Sequence, residues 1–204
     1  MLELLGVGKA FDGKPVIESA SLALAAGEIL CLTSPSGVGK TTLLEIMAGV
    51  TRPDKGTVKR ATDAALMFQD DVLIPWLTAE ETIRYILPSS MAEHEQRERA
   101  AFWLNRFGLE CGTCPAAMSG GMRRRLSLAR TFAANRRLIL LDEPFAFLDE
   151  GHCRLIAEEL AAHAQAGCGI VLASHTAAPL EHPVFSQTAL RFAAVRHSPV
   201  FLQV

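Results

Sequence analysis

The chain of 204 residues has no long apolar run. Half of it is apolar and the mean hydropathy is +0.22, yet no stretch approaches the roughly 18 consecutive apolar residues of a membrane span. The longest pieces, such as Ile170-Val171-Leu172-Ala173, have the length of strands. The chain is therefore not expected to cross a membrane by itself. Its start carries Glu3 and no basic stretch followed by an apolar one, so no secretory leader is expected and a cytoplasmic location is. Net charge is also small: 20 Lys and Arg against 22 Asp and Glu give −2. That balance argues against bulk electrostatic capture of nucleic acid and leaves room only for a local patch, and no nucleic-acid partner is expected. Five cysteines are an odd number, and reduced thiols are the expected state. Only Cys111 and Cys114 form a CxxC pair, and a zinc site needs a second pair that the sequence lacks, so the pair reads as part of a loop. Internal repeats and low-complexity segments are absent too.

What is present alternates. Four short apolar runs, Ile29–Leu32, Ala65–Phe68, Leu138–Leu141 and Ile170–Ala173, are separated by helical stretches. Uninterrupted apolar strands between helices predict a parallel sheet covered on both faces. The first 27 residues differ. Leu2/Leu4 and Leu22/Leu24 alternate around Asp12-Gly13, which predicts an antiparallel hairpin. The middle, about 71 to 118, reads as helical. Glu93/Arg97 and Glu95/Arg99 are i,i+4 pairs, with Ala100, Leu104 and Phe107 on the opposite face. A further helix is predicted between Ser119 and Asn135, with Ser119 as N-cap and Met122, Leu126, Ala129 and Ala133 as its apolar stripe. Arg123, Arg124 and Arg125 fan around that helix and read as a solvated face.

The first chemical motif follows the strand Ile29–Leu32. Ser34-Pro35-Ser36-Gly37-Val38-Gly39-Lys40-Thr41-Thr42 runs into a helix striped by Leu43, Ile46 and Met47. Strand, tight glycine loop and helix start are the context of a P-loop. Gly37 and Gly39 let backbone N–H groups turn inward on phosphate oxygens, and the helix dipole adds to the attraction. Lys40 supplies a point charge to the β- and γ-phosphates, Thr41 a hydroxyl for Mg2+, and Thr42 a bond to the α-phosphate. The first glycine of the GxxxxGK[ST] pattern is Ser34 here, which predicts a slightly shifted loop.

A second apolar strand ends in Asp142-Glu143-Pro144. The carboxyl ends of strands in open α/β sheets are where ligands bind. Asp142 is placed to hold Mg2+, directly or through water, and Glu143 to polarise an attacking water.

The run Met118-Ser119-Gly120-Gly121-Met122 stands about twenty residues before that acid pair. With it the sequence resembles the nucleotide-binding subunit of ATP-binding cassette (ABC) transporters, whose signature reads LSGG(Q/M). The resemblance covers nearly the whole chain, with the motifs in family order. It implies that Phe11 is the aromatic residue that stacks on adenine and that Ser34 to Thr42 are the Walker A loop. It implies a Q-loop at Gln69, a third candidate metal ligand beside Thr41 and Asp142. Asp142 and Glu143 become Walker B and the catalytic base, Leu148-Asp149 the D-loop, and Ser174-His175 the H-switch, with His175 catalytic beside Glu143. Ser119, Gly120 and Gly121 then form an anion site for the γ-phosphate bound to another subunit, so that ATP joins two such domains and hydrolysis releases them.

The implied fold is α/β: a P-loop NTPase (RecA-like) core over residues 1–70 and 128–204, with an N-terminal antiparallel β subdomain and an inserted α-helical subdomain over 71–127. The implied cofactors are ATP and Mg2+. The implied partners are a second ATPase subunit, a separate membrane permease docking near Gln69–Thr78, and a separate solute-binding protein. The chain would then sit on the inner face of the cell membrane through its permease. The wording FQDDVLIPWLT is most similar to the importer subgroup for nitrate, sulfonate, taurine and bicarbonate. Leu73, Ile74 and Trp76 read either as a docking surface or as filling of the helical lobe. Phe147 and Thr176 depart from the family pattern, and Ala193–Val195 and Val200–Leu202 read as closing strands. Two other readings stay open: a non-transport cassette, and a catalytically degenerate cassette that binds ATP as a regulatory module.

Overall fold

A computed structural model describes residues 1–35, 37–175, 180, 182–194 and 200–201. The chain divides into two compact units. One comprises Met1–Gln69, Arg136–Phe145 and Cys153–Val204, the other Asp70–Asn135 and Ala146–His152.

The first unit holds two sheets. β1 (Leu2–Phe11) and β2 (Lys14–Leu24) form the predicted antiparallel hairpin. Its Asp12-Gly13 turn is left-handed at both residues, with φ of 50° and 76°, the requirement of the primed turn that matches strand twist. β4 (Lys55–Arg60) adds antiparallel to β1, and β9 (Val200–Phe201) adds parallel to β2. The larger sheet is parallel, in the order β5 (Ala64–Met67), β6 (Leu138–Asp142), β7 (Gly169–Ser174), β3 (Glu28–Thr33) and β8 (Ala189–Ala194). All five residues of β6 and all six of β7 are buried, which explains their uninterrupted apolar runs. α1 (Lys40–Ala48) contributes Leu43, Leu44, Ile46 and Met47 to one core shared by both sheets, with Leu4, Leu24, Leu32, Leu140 and Val171. The expected closing strands appear as β8 and β9, while Val195 and Leu202 lie outside the described residues.

The second unit is helical, with loops between α2 (Ala79–Arg84), α3 (Glu93–Arg106) and α4 (Gly120–Ala133). Residues 71–78 are not helical, a departure from the expected continuous helical middle. Thr78 starts α2 with a capping box, and Ser119 starts α4 by accepting from the Met122 N–H at 3.2 Å. Aromatic rings build this unit's core: Phe132 stacks on Trp103 at 5.5 Å and on Phe107 at 6.1 Å between centroids. Glu93 pairs with Arg97 at 2.8 Å as the i,i+4 spacing requires. Glu95 departs from its expected pairing with Arg99: its carboxylate accepts the Ala92 N–H at the start of α3.

The arginine run is corrected as well. Arg124 is 1% exposed and faces Asp71, Nη1 to Oδ1, at 3.4 Å. Arg123 donates to the Met118 carbonyl and Arg125 to those of Phe107 and Gly108. Consecutive residues on a helix point in different directions, so three arginines in a row cannot share one solvated face. α5 (Glu150–Gln165) opens after Asp149, whose carboxylate accepts the His152 N–H at 2.9 Å.

Candidate functional site

In the first unit β3 delivers the chain into the glycine loop, and α1 begins at Lys40. Gly39 is left-handed, with φ of 95°, and a Cβ there would stand 3.0 Å from the Val16 side chain. Only glycine lets the loop close so tightly against β2. α1 has no side-chain cap at its N-terminus and no acid in its first turn, so its leading N–H groups and positive dipole end suit an anion. The Lys40 ammonium folds back and donates to the Ser34 carbonyl at 2.6 Å and the Pro35 carbonyl at 3.2 Å. Lys40 is buried, and among the described residues its ammonium is held by loop carbonyls, a setting that suits a phosphate. Ser34 is not among the left-handed residues, so the glycine of the pattern is not needed for backbone reasons at this position.

A cleft of about 250 Å³ opens over the loop. It is lined by Val16, Gly37, Gly39, Lys40, Thr41 and Thr42 from the hairpin and loop, and by Gln69, Asp142, Glu143 and His175 from strand ends. The Thr41 hydroxyl donates to Asp142 Oδ2 at 2.5 Å, with Asp142 buried. A hydroxyl, a carboxylate and the Gln69 amide form an all-oxygen donor set of the kind a hard divalent cation such as Mg2+ takes. Glu143 adopts a left-handed φ of 50° directly after β6. It faces His175, whose Nε2 lies 3.1 Å from Oε1 and whose N–H donates to Oε2 at 3.3 Å. Strained backbone of this kind costs about 1–3 kcal/mol and clusters at functional sites. The carboxylate thus borders the cleft, beside the residue that follows β7.

The other expected site residues lie elsewhere. Phe11 is at the hairpin tip, 46% exposed, and does not line the cleft. Val38 is buried, and Ser36 and Thr176 lie outside the described residues. Ser119, Gly120 and Gly121 are at the start of α4 in the second unit. A Cβ on Gly121 would meet the Phe147 carbonyl at 3.2 Å. Leu148 and Asp149 also belong to that unit. Val16, a cleft residue, carries no motif and was not expected; no sequence signal marks an apolar strand residue as a cleft wall. Trp76 is 76% exposed, so it does not fill the lobe. Among the described residues no group of His, Cys, Asp and Glu could hold a zinc-type metal, and Cys111 is exposed in its loop.

A glycine loop between a parallel strand and a helix, with a Thr–Asp pair and an acid at the next strand end, defines a P-loop nucleotide-binding fold. The chain belongs to the ABC transporter family, whose pattern matches residues 17–146. It is 35% identical over 160 residues to the taurine import ATP-binding protein TauB of Yersinia pestis, covering 73% of this chain and 63% of the relative. Against TauB of Escherichia coli strain K12 it is 36% identical with the same coverage. The chain thus spans under two thirds of the length of these relatives. A dimeric bacterial ABC transporter cassette, MJ0796, superposes with a TM-score of 0.84 and 25% identity over 98% of this chain and 97% of that one. No helix among the described residues is long and apolar enough to cross a membrane.

Proposed function

We propose that this chain is the ATP-binding and hydrolysing subunit of an ABC importer, energising solute uptake through a separate membrane permease by ATP-driven dimerisation. The observation that carries the reading is the convergence of Lys40, Thr41, Gln69, Asp142, Glu143 and His175 on one cleft. In this reading residues 34–42 hold the phosphates, with Lys40 turning from the loop carbonyls to the β- and γ-oxygens. Thr41, Asp142 and Gln69 would hold Mg2+, which would supply charge neutralisation on the phosphoryl oxygens. Glu143 takes the proton of the attacking water, and His175 holds Glu143 in place. Phe11 stacks on the base. Ser119, Gly120 and Gly121 contact the γ-phosphate held by the second subunit, which is a second copy of this chain.

The similarity to taurine import proteins supports a small sulfonate-like solute, delivered by a separate binding protein to a permease that docks near Gln69–Thr78. The exposure of Trp76 supports that docking position. The chain would then be cytoplasmic, held at the inner face of the membrane by the permease. Residues 1–70 and 128–204 would act as the nucleotide-binding core and 71–127 as the signature lobe.

The test is Mg2+-dependent ATP hydrolysis by the purified chain, with Glu143→Gln and Lys40→Ala as variants. Glu143→Gln is expected to bind ATP, lose turnover at least about 100-fold and accumulate a dimer, whereas Lys40→Ala loses ATP binding. Full turnover by Glu143→Gln would overturn the assignment of the base. ATP binding without turnover, even beside the permease, would instead indicate a regulatory module.

A further inference from the structure

Phe11 closes β1, opposite Lys14 across the hairpin turn. Two residues earlier, and so on the same strand face, Lys9 places its ammonium 5.2 Å from the centre of the Phe11 ring. Lys9 does not hang free in solvent. Its side chain is largely covered, and Nζ donates to Asp54 Oδ1 at 2.8 Å. The other carboxylate oxygen of Asp54 accepts the Ala10 N–H at 2.8 Å, and the Asp54 N–H donates to the Gly8 carbonyl at 2.8 Å. One aspartate therefore grips three successive residues of β1 just before the aromatic ring. The bonds from Lys9 and from the Ala10 N–H hold the Asp54 carboxyl below the usual aspartate range.

The ring has a cation over one side and remains half exposed. β2 runs back from this tip to Val16, which lines the phosphate cleft. Lys14 and Val16 are two residues apart, at most about 7 Å along the chain, a span of the order of a ribose. A nucleotide with its phosphates in the cleft would bring its base toward the hairpin tip.

We infer that Lys9 and Asp54 are positioning residues that hold the Phe11 ring in place for stacking on the base of the bound nucleotide. The inference rests on the reading of Phe11 as the base-stacking residue. A ring already held by a cation on one face loses less side-chain freedom when a base arrives on the other, so part of the binding cost is met in advance. A surface ion pair open to solvent on its aspartate side and with no such role would contribute little to stability and would leave base recognition untouched.

The experiment compares two ligands on the full chain by calorimetry with Mg2+: adenylyl imidodiphosphate, which carries the base, and inorganic tripolyphosphate, which does not. The variants are Lys9→Met, Asp54→Asn, Phe11→Ala and the double variant Lys9→Met/Phe11→Ala. Lys9→Met and Asp54→Asn are expected to weaken the nucleotide about three- to ten-fold and leave tripolyphosphate unchanged. Lys9→Met is expected to add nothing once Phe11 is Ala. An unchanged or tighter nucleotide, an equal loss for both ligands, or full additivity with Phe11→Ala would each overturn the inference. The reading of Phe11 itself fails on a different result, a Phe11→Ala chain that binds nucleotide as tightly as the native one. Binding of neither ligand by the native chain would overturn the nucleotide site as a whole.

Discussion

His175 meets Glu143 twice: its Nε2 lies 3.1 Å from one carboxylate oxygen, and its backbone N–H donates to the other at 3.3 Å. The side-chain contact can be removed without the backbone one. His175→Ala is therefore expected to keep Glu143 at the cleft but loosen its carboxylate, because what His175 still offers it is a backbone N–H at 3.3 Å, a weak restraint. In a single-turnover ATPase assay the rate should fall about 100-fold. Affinity for adenylyl imidodiphosphate should stay within about three-fold, since His175 holds the acid rather than the phosphates. A rate within a few-fold of the native one would remove His175 from the machinery.

The pair Arg124–Asp71 predicts an asymmetric response to substitution. Arg124 is buried whereas Asp71 is partly open to solvent and has Arg123 Nε at 4.0 Å as a second cation. Asp71→Asn takes one carboxylate away from the buried guanidinium, and breaking a pair of this kind from one side costs up to about 3 kcal/mol. Arg124→Met puts a flexible apolar side chain in the same space and leaves Asp71 with Arg123 and water. It should cost less, and Asp71→Asn/Arg124→Met should recover most of the stability lost by Asp71→Asn alone. Urea midpoints of the three variants check the order. Ser127 and Arg130 also hold the carbonyls of Asp71 and Val72 at 3.0 and 2.8 Å, so the segment should remain attached to α4 in every variant.

Sequence patterns revealed most of the elements that bury apolar side chains and little of what polar side chains do between elements. The runs Leu138–Leu141 and Ile170–Ala173 name their strands because both faces are covered. Asp12-Gly13 names its turn because few other pairs tolerate two left-handed residues. β4 escaped notice: Lys-Gly-Thr-Val-Lys-Arg is an edge strand with only Val58 partly buried, so it carries no alternating apolar signal. Of the site, the glycine loop, Asp142, Glu143 and His175 were legible as motifs with a strand before each. Val16 and the Lys9–Asp54 link were not, because they join residues up to 45 apart through a fold that spacing alone does not describe. The contact of buried Arg124 with Asp71 likewise spans 53 positions.

Thiol chemistry separates the five cysteines. Burial within β3 pushes the Cys31 thiol up to about 12, with the nearby Glu143 charge adding to the shift. The thiolate is the reacting species, so at pH 8 Cys31 is protonated as well as enclosed. Cys111 is exposed in its loop. Titration with a disulfide reagent at pH 8 should modify Cys111 rapidly in the native chain and Cys31 only after unfolding in denaturant. Raising the pH to 9 should leave Cys31 silent, because that is still far below the value at which its thiolate forms. Modification of Cys31 at the rate of Cys111 would show that β3 opens readily.

Phe147 combines two unfavourable features: a left-handed φ of 63° and a ring that is 86% exposed. A bulky side chain in that backbone region costs about 1–2 kcal/mol relative to glycine. The exposed ring regains little of it through burial within the chain. Phe147→Gly removes the strain but frees the unfolded chain, which costs about 0.5–1 kcal/mol in return. The net expectation is a gain of roughly 0.5–1 kcal/mol, seen as a rise of about 1–4 °C in Tm for a chain of this size. Phe147→Ala is the control, because it deletes the ring while keeping a Cβ in the strained region, and its Tm should stay close to the native one. If Phe147→Ala instead lowers Tm and Phe147→Gly lowers it further, the ring packs against something in solution and the loop does not carry the strain its backbone angle implies.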